Sequence, residues 1–204
     1  MLSKLNRDGD GARSPVRLLA AAVVSGALGL AGCSAAYVEG DAASVLLVIQ
    51  NIAAGAPVLS DVRGTGGLIV NCQVTMTLSA QAKNPNSPAS LSEDVRVSRY
   101  DVAYRRSDGR GVQGLDVPYS ISGNMTAFVE SGGGSTTDVA IDLVRHQAKL
   151  EPPLSNIVGL QVVTMFADVT LFGQTLSGKA MTARGSAQVT FADFADGTPT
   201  CEGS

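Results

Sequence analysis

Residues 70–83 read VNCQVTMTLSAQAK. Even positions, from Val70 and Cys72 through Met76 to Ala82, are apolar; odd positions, from Asn71 and Gln73 through Thr77 to Lys83, are polar. Successive side chains of a strand point to opposite faces, so a period of two sustained over this length predicts a β-strand with one face in a core and one in water. The same parity points Cys72 inward.

Outward from this strand the pattern repeats. KNPNSP, residues 83–88, is a turn-rich stop. Over 95–106 the apolar positions are odd at Val95 and Val97 but even at Tyr100, Val102 and Tyr104. A one-residue change of phase is what a β-bulge near Ser98-Arg99 produces. Ser107-Asp108-Gly109 is a turn, and Val112 to Ile121 reads as a strand that Pro118 confines to an edge. Met125–Val129 follows, then the Gly/Ser linker 131–135. Val139–Leu150 fits either a strand or a short helix, and Pro152-Pro153 stops both. Residues 160–172 are apolar on both faces, as in a central strand, while 181–191 alternate through Met181, Ala183, Ala187, Val189 and Phe191. Val45–Ile49 is a short apolar run suited to a buried strand. About eight strands with turn signals between them predict an all-β fold, an antiparallel β-sandwich of immunoglobulin-like type, with a small β-barrel as the alternative.

The chain has 204 residues, 45% hydrophobic and 16% charged, which excludes a disordered charged tail. A formal charge of -3 excludes general attraction to nucleic acid. With 4% aromatics and no Trp there is little surface on which bases could stack.

The first 32 residues form a separate unit. Lys4, Arg7, Arg13 and Arg17 weight the start positively, and Leu18–Ala31 is an uncharged run of signal-peptide length, too short to span a bilayer. The run ends in Leu30-Ala31-Gly32-Cys33, which resembles the lipobox of bacterial lipoproteins. That resemblance implies cleavage before Cys33, acylation of its thiol and amine with palmitate-type chains, and anchoring at a membrane. Ser34, where familiar Gram-negative lipoproteins retained at the inner membrane carry Asp, implies the outer membrane. Residues 33–43 then read as a lipidated tether and 44–204 as one domain. With Cys33 assigned to lipid, Cys72 and Cys201 remain, in a compartment that permits a disulfide between them.

Catalytic signals are thin. Gly173-Gln-Thr-Leu-Ser-Gly178-Lys179 has the spacing of a phosphate-binding loop, but Ala180 stands where the motif needs Ser or Thr, and a strand follows where it needs a helix. No nucleotide and no other cofactor is expected. His146 is the only histidine; with Asp142 and Lys149 it would share a face only if that stretch were helical. Asp193, Asp196 and Glu202 lack the spacing of a calcium loop, and no metal is expected. The arginines of 93–110 alternate with acids and net only +1, which suits surface ion pairs. Arg99, Asp101 and Arg105 share the outward parity and form a strip that could bind a partner, arginine being a common interface anchor.

The stretches RYDVAYRRSDGR, LDVPYSISG, VRHQAKLEPPL and VTFADFAD are, as a set, similar to uncharacterised exported β-proteins of Gram-negative bacteria, over about residues 68–197. The resemblance implies no catalytic residue. The sequence thus points to a non-enzymatic envelope lipoprotein, a protein-binding or structural module; a lipid-anchored hydrolase or small-ligand binder is the alternative. Intact-mass and peptide analysis of the membrane fraction is expected to find a mature chain starting at acylated Cys33. An unmodified Cys33, or cleavage elsewhere, contradicts this reading.

Overall fold

A computed structural model describes residues 43–64, 66–86, 90–132, 134–194 and 201–202. Residues 1–42, with Cys33 and nearly all of the expected tether, lie outside the described residues. The strands are β1 Val45–Ile52, β2 Val58–Asp61, β3 Cys72–Ala82, β4 Val95–Arg106, β5 Ile121–Val129, β6 Thr137–Val144, β7 Val162–Thr175, β8 Ala180–Ala192 and β9 Cys201–Glu202. A single turn of helix, α1 His146–Leu150, separates β6 from β7. One sheet has the order β1-β3-β6, the other β5-β4-β7-β8-β2-β9. The fold is all-β, as expected: two sheets enclose one hydrophobic core, and the larger sheet curls into a half-barrel. Strand pairs are antiparallel except β2 with β8.

The alternation in β3 follows its parity from Cys72 to Leu78; beyond that, polar Ser79 is buried and Ala82 is exposed. Cys72, Val74, Met76 and Leu78 are all buried, while Gln73 is exposed and Thr75 and Thr77 half-buried. Cys72 meets Cys201 across the sheets, Cα to Cα 5.1 Å, and the two are bonded, tying the short β9 to the opposite sheet. The separation is within the usual reach of a disulfide.

The expected bulge lies at Ser98-Arg99, where β4 shifts register against both neighbours. Its geometry explains the curl. Val97 and Tyr100 face Gly173 and Leu171 on β7, with one residue between them there. On β5 they face Ala127 and Gly123, with three residues between. The same step therefore takes one residue in β7, two in β4 and three in β5. A path that lengthens toward the edge bends the sheet. Gly123 accommodates the bend, because the Tyr100 ring occupies the place of a Cβ, 2.3 Å away.

The curl brings β5 beside β6 at the edge of the other sheet, and side chains close the seam. The Arg145 guanidinium donates to the Ser122 carbonyl, and the Thr137 hydroxyl to the Phe128 carbonyl at 3.0 Å. From β4, the Tyr104 hydroxyl donates to the Leu143 carbonyl at 2.6 Å, and the Tyr100 hydroxyl accepts the Asp142 N–H at 3.2 Å. Leu143 is itself the extra residue of a bulge, since Cys72 pairs with Val144 and Gln73 with Asp142. Burial holds the Tyr104 hydroxyl far above the usual phenol range, keeping it a donor.

Three expectations change. Val112–Ile121 is not a strand: the N–H groups of Leu115, Asp116 and Val117 turn back to the Val112 carbonyl, with Gly114 at φ +76°, and β5 begins only at Ile121. The edge role expected there passes to β5, which ends its sheet. Val139–Leu150 is both alternatives in succession, the end of β6 and then α1. Val45–Ile49 is only partly buried, with Leu46 49% exposed, because β1 alternates at an edge of the smaller sheet.

Tyr104→Phe leaves the Leu143 carbonyl buried without its donor, which typically costs about 1–3 kcal/mol. Urea denaturation should show a lower midpoint with an unchanged slope. An unchanged midpoint would remove the seam from the account.

Candidate functional site

The solvent face of the larger sheet assembles residues that lie far apart in the chain. Register sets Phe128, Arg96, Gln174 and Ala180 in one row across β5, β4, β7 and β8. The next row is Asn124, Arg99, Phe172 and Thr182, and the third is Ser122, Asp101, Thr170 and Arg184. Ala103, Asp168 and Ser186 follow, then Arg105, Phe166 and Gln188.

Arg99, Asp101 and Arg105 thus point outward as the parity of β4 requires. The Arg99 guanidinium lies 3.9 Å over the Phe172 ring centroid and 3.6 Å from the Asp101 carboxylate. The Arg105 guanidinium lies 4.4 Å over Phe166, its Nε 2.8 Å from Asp168. Each exposed pair is worth only about 0–1 kcal/mol, and each stack about 0.5–1 kcal/mol. What they provide is geometry: two long side chains lie flat and leave broad planar surfaces in water. Arg96 and Arg184 are exposed on the same face, with no ion pair to either among the described residues. Phe128 adds an apolar neighbour, 57% exposed. β4 is hydrogen-bonded along both edges, to β5 and β7, so a partner strand cannot pair with it; contact has to come through side chains on the face.

The phosphate-loop spacing is a hairpin. Gly173 is within β7, and Thr175, Gly178 and Lys179 close the turn into β8 through Thr175 N–H to the Lys179 carbonyl at 2.9 Å and Gly178 N–H to the Thr175 carbonyl at 2.9 Å. Asp142, His146 and Lys149 do not gather. The Asp142 carboxylate accepts from Gln73 at 2.9 Å and Asn71 at 3.4 Å, His146 is exposed, and Lys149 turns into the core. His146 lines an open hollow with Asn71, Gln73 and Cys201, none of them a nucleophile once Cys201 is bonded. Among the described residues no group of three His, Cys, Asp or Glu could hold a metal. Asp193 follows β8 and is exposed, whereas Asp196 lies outside the described residues.

A second polar feature escaped the sequence. Lys149 and Asp61 are each 1% exposed, and among the described residues the Lys149 ammonium and one Asp61 oxygen have no hydrogen-bond partner. The other Asp61 oxygen accepts the Arg63 N–H at 3.0 Å. Ser60, on the adjoining position of β2, also has a buried hydroxyl without a partner among the described residues. Burial pulls the Lys149 pKa down to about 8, the Asp61 charge opposing the shift.

No family model, no curated protein and no solved structure matches this chain.

The lysine has a pH signature. Its folded pKa lies below the unfolded value of about 10.4, so between about pH 8 and that value the unfolded chain binds more protons and stability rises with pH. Below pH 8 both states are protonated and the penalty is constant. From pH 7.5 to 9.5 the urea-derived stability is expected to climb by on the order of 1 kcal/mol from this group, and Lys149→Met should flatten the climb. Parallel profiles for the two proteins would contradict the assignment. The range stops short of the phenol range, where the raised pKa of Tyr104 acts in the opposite sense.

Proposed function

We propose that this chain is a lipid-anchored, non-enzymatic lipoprotein of the bacterial outer membrane that binds a protein through the outer face of β5, β4, β7 and β8. The two stacks, Arg99 on Phe172 and Arg105 on Phe166, carry the reading. A face whose only role is to stay solvated has no need of three phenylalanines, whereas aromatic and arginine side chains with little freedom to lose are what interfaces use as anchors. The four strands place four arginines and two aspartates on this face, within a chain that is acidic overall. Such a contrast favours an acidic partner and rapid encounter with it. The lipobox at Leu30–Cys33 and the disulfide-bonded Cys72 and Cys201 support an exported location.

A photo-crosslinking amino acid at Thr182, beside Phe172 on this face, is expected to capture protein in living cells. The same group at Gln147, exposed on α1, should not. Arg99→Ala with Arg105→Ala should abolish the Thr182 adduct while shifting the melting temperature little. Equal capture from both positions, or an adduct indifferent to the arginines, would overturn the reading.

A further inference from the structure

We propose that the partner of this face is a second copy of the same chain, which presents the outer face of β1, β3 and β6 to it, head to tail. The inference rests on the binding role argued above and names the occupant. Asp138 and Asp142 stand on the outer side of β6, next to polar Thr77 and Gln73 of β3. Those neighbours are neutral donors: Thr77 gives a hydrogen bond to Asp138 at 2.8 Å and Gln73 one to Asp142 at 2.9 Å, so both carboxylates are positioned but keep their charge. No Lys or Arg occurs within the strand segments of β1, β3 or β6. The smaller sheet therefore offers a face of net charge -2, and the four strands of the larger sheet one of net charge +2.

Among the described residues, the cations without an ion pair on this face are Arg96 and Arg184, since Arg99 and Arg105 have Asp101 and Asp168. They stand two strands and two rows apart, roughly 16 Å, while the two aspartates four residues apart on β6 are roughly 13 Å from each other. Flexible arginine side chains span the difference. Apolar surface accompanies the charge on both sides: Phe128 on the larger sheet, and Leu46 with Ala140 on the smaller. Because the two faces differ, contact between them is heterologous, and it extends into rows rather than closing into a dimer.

The test exchanges charge. Arg96→Glu with Arg184→Glu makes both faces of a copy acidic; Asp138→Lys with Asp142→Lys makes both basic. Two differently tagged full-length copies are co-expressed, solubilised and captured through one tag, and a urea midpoint confirms that each variant folds. Wild-type copies should capture each other. Either variant alone should lose at least tenfold of that capture, and the two variants together should regain it, since each then meets an opposite face. Self-capture of a variant at the wild-type level overturns the proposal, as does failure of the mixed pair to recover. A Thr182 adduct that contains a different protein, with no recovery in the mixed pair, overturns self-association but leaves the binding face standing. Absence of any Thr182 adduct removes both.

Discussion

The extra residue at Ser98-Arg99 is the constraint from which the rest of the architecture follows. It sets one side of β4 in two phases, so that Val95 and Val97 and then Tyr100, Val102 and Tyr104 all reach the core. It also gives successive strands one, two and three residues across a single step. A flat six-stranded sheet would leave β5 as an open edge, with unpaired carbonyl groups available to other chains. The curl instead carries that edge to β6, where Arg145, Thr137 and the two tyrosines satisfy main-chain groups that no ladder reaches. Arg99, at the bulge, faces outward and lies over Phe172.

The opposite end of the larger sheet is held differently. There β2 runs parallel to β8, and β9 is tied through Cys201 to Cys72 on the other sheet. In the chain-entropy view a loop of this length can contribute several kcal/mol. That contribution offsets a local cost, because β2 ends in the buried Asp61, and Lys149 enters the interior near it with no ion-pair partner among the described residues. Buried charges without full hydrogen bonding destabilise. The tyrosine seam and the Lys149 end are thus opposites: fully satisfied polar groups at one margin, orphaned ones at the other.

How much of this was legible follows from the physics of each element. β3, β4, β7 and β8 announce themselves because they are long enough for period two to be unmistakable, and the phase slip in β4 is visible for the same reason. β2 is four residues, two of them Ser60 and Asp61, and no local pattern marks polar residues as buried. The Val112 segment has strand-like composition, but Gly114 in the left-handed region lets it turn on itself. The outward strip Arg99, Asp101 and Arg105 could be read from parity within one strand. Its companions Phe166, Phe172, Asp168 and Arg184 depend on register between strands, which adjacent residues do not encode. One signal did exist: 160–172 is apolar on both faces, and the outer phenylalanines beneath the arginines are the reason. Lys149 could not be placed, since its burial depends on how one turn of helix packs against the core.

Whether the bulge closes the fold is tested by amide hydrogen exchange in a variant lacking Ser98. Deletion restores regular alternation to β4, so Tyr100 and Tyr104 stay inward and Arg99 stays outward, while the graded step is lost and one residue of β4 faces three of β5. Amides of β5, Ser122 to Asn124 among them, are expected to lose most of their protection, and amides in the β7–β8 ladder to keep theirs. Protection of β5 equal to that of the unaltered protein would contradict the claim that this bulge closes the fold.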